Sequence, residues 1–188
     1  MKTYFPLLAL FLFYTVGLFG QETRWRSSAY LDLASNHRNV YTYYNANNMV
    51  KTKEIAEKGV IELAYHLDYL LSDKIAISAI TSYNRFVRLD SSSLKIGSGI
   101  KYMYADNKTH YLTLQYGYHI PFKKDSFKEG HQLKIGQIFN VGKPFLIGIF
   151  YHYDFIYLNE DSRPLFSYST RDSSLKLHST VISLGFQF

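Results

Sequence analysis

The chain has 188 residues and a mass of 21.9 kDa, with 47% hydrophobic and 18% aromatic residues, which suits one folded domain and excludes a disordered tail. It contains no Cys, so a disulfide scaffold, a Cys-ligated zinc site, a thiol nucleophile and a lipidated cysteine are all excluded. The net charge of +6 comes from scattered Lys and Arg rather than a basic stripe. That distribution argues against nucleic acid and suits anionic lipid headgroups or saccharide phosphates at an envelope surface.

Residues Met1–Gly20 read as a secretory leader: Lys2 is the positive start, Phe5–Phe19 is an uncharged apolar run, and Gly20 precedes the polar Gln21 and Glu22. The rival reading is a retained membrane anchor. The short apolar run and the lack of a basic cluster after it favour cleavage. The expected domain division is therefore a leader over residues 1–20 and one domain over 21–188.

Beyond the leader the dominant pattern is alternation with period two, the signature of strands that show different chemistry on their two faces. A weak first strand lies near Trp25–Ser35, with Ala29, Leu31 and Leu33 alternating with Tyr30, Asp32 and Ala34. The stretch Asn36–Lys58 admits either a short strand at Val40–Tyr44 or a short helix at Lys51–Lys58. Seven clearer strands follow. Their apolar rows are Ile61–Leu63–Tyr65–Leu67–Tyr69, Ile75–Ile77–Ala79–Thr81–Tyr83, Leu94–Ile96–Ser98–Ile100–Tyr102–Tyr104 and Leu112–Leu114–Tyr116–Tyr118–Ile120. The remaining rows are Leu133–Ile135–Phe139–Val141, Phe145–Ile147–Ile149–Tyr151–Tyr153–Phe155–Tyr157 and Ile182–Leu184–Phe186–Phe188. In the last strand Leu175 and Leu177 are out of phase with Phe186 and Phe188, so a bulge is expected around His178–Thr180.

The links alternate in length. Ser72–Lys74, Asp106–Thr109 and Gly142–Pro144 are tight, whereas Asn36–Gly59, Arg88–Ser93, Phe122–Gly130 and Asn159–Ser173 are long. An up-and-down outer-membrane barrel has short turns on one side and longer loops on the other. The strands are longer than the roughly 5–6 residues usual in soluble proteins and suit a tilted bilayer crossing. Tyr falls toward the ends of the apolar rows, where an apolar ring and a wet hydroxyl fit the interface. The other rows carry Gly, Ser, Asn, Gln, Lys and Glu, the filling of a narrow interior. The expected fold is all-β, an eight-stranded antiparallel transmembrane barrel. In this register the lumen holds Asp32, Glu62, Asp68 and Asp154 against Lys95, Lys101 and Lys134, with His66, His119 and His152 among them. Opposite charges at that density pair and plug the interior.

The leader, the eight alternating strands, the long outer loops and the closing Val-Ile-Ser-Leu-Gly-Phe-Gln-Phe together resemble the small outer-membrane barrel proteins of the OmpA/OmpX-like type. The resemblance implies an outer-membrane location and contact with outer-membrane lipids and lipopolysaccharide. It also implies that Leu184, Phe186 and Phe188 present the terminal signal read by the barrel assembly machinery. It implies no particular activity.

Glu62, His66 and Asp68 share one strand face, as do His152 and Asp154, and either set has the chemistry for a metal or for acid–base work. The favoured reading is an ion network filling the lumen, with no metal, no cofactor and no catalytic residue assigned. Some eight-stranded outer-membrane barrels deacylate lipid A with a His, a Ser and a carboxylate on the lipid-facing wall, His and Ser two apart. Here His178 and Ser179 are adjacent, and the matching position holds Thr180. The segment Lys123–Glu129 reads as a solvated loop, whereas Arg163, Phe166, Tyr168 and Arg171 in the last long loop have the composition of a binding surface. The favoured function is a non-enzymatic envelope barrel acting through its loops. The alternatives are a lipid-modifying enzyme and a soluble periplasmic barrel that turns its Leu/Ile/Tyr rows inward around an apolar ligand.

Overall fold

A computed structural model describes residues 24–44, 47, 49–55, 59–87, 89–104, 110–123, 127–158 and 173–188. The leader at Met1–Gly20 and the loop candidates Arg163, Phe166, Tyr168 and Arg171 lie outside the described residues.

The described chain is all strand and connection: β1 (Trp25–Tyr44), β2 (Val50–Glu54), β3 (Val60–Leu70), β4 (Ile75–Phe86), β5 (Ser91–Met103), β6 (His110–Pro121), β7 (Glu129–Gly142), β8 (Phe145–Leu158) and β9 (Ser173–Gln187). From β3 to β9 each strand pairs antiparallel with the next, β1 pairs with β3, and β9 pairs back onto β1. The sheet therefore closes into an eight-stranded antiparallel barrel, as the alternation implies. β2 is additional. It forms a hairpin with the far half of β1, from Val40↔Glu54 to Tyr44↔Val50, beyond the point where β3 leaves off. Both described ends, Arg24 and Phe188, lie at the short-turn end, where Leu70 N–H donates to the Arg24 carbonyl and Phe188 N–H to that of Ser27.

Which face looks outward decides the solvent. Leu63, Ile100, Leu114 and Ile149 are 47–54% exposed, while Glu62, Lys101 and Gln115 between them are 2–4% exposed. The apolar rows thus face out on every wall and the charged rows face in. An uninterrupted apolar girdle of this extent is not a water-facing surface. It is stable against acyl chains, and closure leaves no unpaired strand edge within that girdle. The soluble reading, with the Leu/Ile/Tyr rows turned inward, is overturned by this orientation.

Three details depart from the sequence expectations. The segment Lys51–Glu54 is strand rather than helix, because Val50 and Thr52 alternate with Lys51 and Lys53 opposite the β-favouring Tyr41–Tyr44. Ser91–Ser93 belong to β5, with Ser91 and Ser93 buried opposite Phe86 and Asn84, so that link shortens to residues 87–90. The register shift lies on β1, between Asn36 and Arg38, opposite Ser179 and His178. β9 itself runs unbroken along β8 through His178, Ser179 and Thr180. Leu175 and Leu177 are out of phase with Phe186 because they face inward and are fully buried. The lumen is not uniformly polar, so inward-facing Leu175 and Leu177 require no bulge on β9.

Glycine permits the closest wall contact at Gly136, where a Cβ would lie 2.6 Å from Phe150 Cα on the neighbouring strand. Backbone cannot retreat as a side-chain tip can, so Gly136→Val is expected to destabilise the barrel by about 1–3 kcal/mol or more through overpacking. The readout is a lower urea midpoint for the heat-modifiable, SDS-resistant band in phosphatidylcholine vesicles. An unchanged midpoint contradicts the close approach.

Candidate functional site

The inward rows build a lumen in three layers. At the short-turn end Tyr30, Ala64, Ala76, Met103, Tyr111, Ile138, Leu146, Phe150 and Val181 form one buried apolar cluster. At the long-loop end Tyr41, Ile55, Val60, Phe86, Phe127, Ile156, Leu158, Leu175 and Leu177 form another. The charged groups lie on strand positions between and beside these layers.

All ten charged and histidine residues assigned to the lumen by alternation lie on the inner face, with relative exposures of 0–7%. They divide into separate groups. The largest crosses the barrel. Lys95 on β5 reaches Glu62 on β3 and, at 2.5 Å, Gln132 Oε1 on β7. Gln132 Nε2 donates to Asp154 Oδ1 at 3.3 Å, and His119 Nε2 meets the same oxygen at 3.2 Å. Ser93 Oγ holds the other ring nitrogen of His119 at 3.0 Å. His152 Nε2 lies 3.0 Å from Asp154 Oδ2, a close approach without hydrogen-bond alignment. Lys134 on β7 reaches across to Asp32 on β1, with its ammonium 4.5 Å from the centre of the Phe150 ring. Nearer the short-turn end Lys101 Nζ donates to Asp68 Oδ2 at 2.6 Å, and Ser78 Oγ to Asp68 Oδ1 at 2.6 Å.

His66 joins none of these by hydrogen bond. Its ring stands 4.6 Å from the Tyr30 ring, and neither ring nitrogen has a protein partner. Asp32 Oδ1, Glu62 Oε2 and Gln115 Oε1 are likewise buried without one. Each buried polar atom of this kind costs the folded state its desolvation energy without a compensating hydrogen bond. Glycine makes room for the long stems: a Cβ at Gly117 would lie 2.6 Å from Lys95 Cδ.

The carboxylates are taken up by lysines and imidazoles of the chain itself, and among the described residues no three His, Asp or Glu converge as metal ligands. A cavity of about 20 Å³ remains at the short-turn end, bordered by Arg26, Ser28, Tyr30, Asp68, Lys101 and Gln187. It has the size of a water molecule, not of a solute. His178 and Ser179 point to opposite sides of the wall. Ser179 is fully buried in the lumen, while His178 faces out and is hydrogen-bonded through Nδ1 to the Tyr151 hydroxyl. The pair cannot act on one substrate from that arrangement. Leu184, Phe186 and Phe188 face outward at the β9 end, with the Phe186 ring 5.8 Å from Phe145 of β8.

Phe127 is the residue that sequence reasoning missed. Read as part of a solvated loop, it is instead fully buried and packs edge-on against Phe86, ring centres 5.7 Å apart. The single apolar residue in Lys123–Glu129 was the available signal.

The lone-partner cost of the buried pairs is testable at Asp32 and Lys134. Lys134→Met alone strands a carboxylate and is expected to cost about 3–5 kcal/mol. The double change Asp32→Leu with Lys134→Met is expected to cost less than either single change. Urea midpoints of the folded band give the cycle, and additive losses contradict the pairing.

No protein-family model matches the chain, and no curated protein sequence matches it. Several solved structures are similar to it. Outer membrane protein OprG from Pseudomonas aeruginosa is 10% identical over 87% of this chain and 95% of that one, with a TM-score of 0.49. Neisserial surface protein A is 9% identical over 85% and 96%, with a TM-score of 0.42. Ail, the attachment invasion locus protein of Yersinia pestis, is 12% identical over 86% and 99%, with a TM-score of 0.38. At such identities no residue role passes from these proteins to this chain.

Proposed function

We propose that the chain is a non-enzymatic barrel of a Gram-negative outer membrane, with a lumen closed to solutes, that acts through its outward surface and long-loop end. The reading includes export by a cleaved leader over Met1–Gly20 and recognition of Leu184, Phe186 and Phe188 by the barrel assembly machinery. It includes contact with outer-membrane lipids and lipopolysaccharide. The loop bearing Arg163, Phe166, Tyr168 and Arg171 is the candidate for protein contact.

The observation that carries the closed lumen is its layering. Two buried apolar clusters lie at the two ends, Lys95 and Lys134 tie strands across the middle, and Lys101 ties β5 to β3 nearer the short-turn end. An ion moving along the axis has to leave water at Phe86 and Phe127, break the Lys95–Glu62 ion pair and the hydrogen bonds to Asp154, and pass Met103 and Ile138. Uncompensated burial of a charge costs several kcal/mol. Eight strands leave an interior that side chains fill.

The test is a planar bilayer holding the refolded barrel, its insertion verified by the heat-modifiable band. No unit conductance steps above the bare-membrane baseline are expected at ordinary salt. Phe86→Ala with Phe127→Ala is expected to leave the lumen non-conducting, because the second apolar layer remains. Regular conductance steps from the unaltered chain contradict a closed lumen.

A further inference from the structure

The outer wall carries a cationic cluster that the closed-barrel reading does not use. Arg38 on β1 stands directly opposite His178 on β9, and His178 directly opposite Tyr153 on β8. Lys176, two residues from His178 on the same face of β9, stands opposite Phe155. Directly opposed Cβ atoms in a sheet are about 5 Å apart and diagonal ones about 7–8 Å. Three basic side chains therefore share one small area of the outward face.

The like charges of Lys176 and Arg38 repel one another and are destabilising unless something neutralises them. Only Arg38 has an acidic partner among the described residues, Glu54 at 3.0 Å, and that pair is widely exposed. Lys176 makes one described contact, its Nζ standing 5.5 Å from the centre of the Phe155 ring. His178 is fixed by aromatic neighbours: the Tyr153 ring centre is 4.8 Å away, and the Tyr151 hydroxyl holds Nδ1. With that hydroxyl donating to Nδ1, the imidazole hydrogen sits on Nε2, which has no described partner and is a donor for an anion. Among the described residues, Glu129 is a further carboxylate of this outer region, two strands away on β7, and it accepts from the Tyr118 hydroxyl at 2.7 Å.

The height of the cluster identifies the anion. His178 lies ten residues from Phe188, whose ring belongs to the aromatic group at the short-turn end. Ten residues of strand span about 33 Å, and at a tilt near 40° that crosses an apolar band roughly 25 Å tall. Outward residues from Ile182 to Phe188 are apolar, whereas Thr180, His178 and Lys176 are not. The cluster thus stands where acyl chains end and headgroups begin. Tyr151, Tyr153 and Phe155 beside it offer the amphipathic surface that interfacial lipid prefers.

We infer that Lys176, His178 and Arg38, framed by Tyr151, Tyr153 and Phe155, form a binding site for the phosphate of a lipid headgroup in the leaflet at the long-loop end. The inference rests on the membrane reading above and gives it a specific lipid contact. A tethered phosphate gives Lys176 a counter-ion, accepts from His178 Nε2 and lies beside the exposed Arg38–Glu54 pair, while its acyl chains lie along the apolar wall beneath. A free phosphate gains the polar contacts alone.

Native mass spectrometry of the refolded chain in a neutral detergent tests the site. The probes are dioleoyl phosphatidic acid, dioleoyl phosphatidylcholine and inorganic phosphate as competitor. At least a tenfold preference for phosphatidic acid over phosphatidylcholine is expected, undiminished by millimolar phosphate. Lys176→Gln with His178→Gln is expected to remove the preference. Lys176→Gln alone weakens it, Lys176→Arg restores it, and Lys74→Gln at the opposite end leaves it intact. All of these side chains lie outside the lumen, so the heat-modifiable band persists in each variant. A folded barrel without the preference, or one whose double variant keeps it, overturns the site alone. Displacement of the lipid by inorganic phosphate reduces it to a free-anion site and overturns the lipid assignment. A chain with no heat-modifiable form overturns the membrane reading, and this site with it.

Discussion

A backbone inside hydrocarbon has no water to take its hydrogen bonds, and each group left unpaired costs several kcal/mol. The ladder between β1 and β9 meets that constraint, because it turns an open sheet with two raw edges into a closed wall. The outward apolar rows depend on it, since they need acyl chains, and acyl chains tolerate no open edge. β1 is built for the task. It pairs with β9 along most of its length and divides its other edge between β3 and the short β2. The register shift between Asn36 and Arg38 falls where β1 passes from its β3 partner to its β2 partner. A bulge there re-aims the strand as it leaves the barrel proper.

Closure with eight strands also dictates the interior. A lumen this narrow is filled by side chains, and strand alternation sends to it whatever the lipid face cannot use. Lysine is suited to the space because its long stem crosses from one wall to another, as Lys134 does to Asp32 and Lys95 to Glu62. The apolar clusters at the two ends flank the middle ion pairs, and burial strengthens each pair and raises the cost of breaking it. Selection for a closed wall and selection for a packed interior thus act on alternate residues of the same strands.

The fold was legible in this sequence because period two is a local property. Each row from Ile61–Tyr69 to Ile182–Phe188 announces its own inward and outward sides without reference to any other strand. Seven strands and the all-β class follow from those rows, and the weaker alternation at Trp25–Ser35 adds the eighth; together they give the inward side to the ten lumen residues. Partners inside the lumen were not legible. Whether Lys95 meets Glu62 or Asp154 depends on strand stagger and tilt, which no single strand encodes. His66, alternating as correctly as Glu62, finds no hydrogen-bonding partner, while Gln132, passed over, joins two ion groups. The apolar end layers were hidden for a related reason. Leu175, Leu177 and Ile138 face inward, and for Leu175 and Leu177 an apolar residue in the inward phase looks like a broken register. Phe127 lies outside any alternating run and β2 alternates over only five residues, so tertiary contact fixes them.

The absence of native cysteine makes the orientation of the wall directly measurable. Single cysteines at Leu63, Ile100, Leu114 and Ile149, and at Ala64, Gly99 and Gln115 on the inward phase, can each carry a nitroxide in phosphatidylcholine vesicles. Collision with oxygen, which concentrates in acyl chains, is then compared with collision with a water-soluble nickel complex. The account predicts high oxygen and negligible nickel accessibility at the first four positions, with labels at the inward positions immobilised and shielded from both. Labels at Leu63 and Leu114 that are immobilised and shielded, with those at Ala64 and Gln115 open to nickel in water, would contradict it.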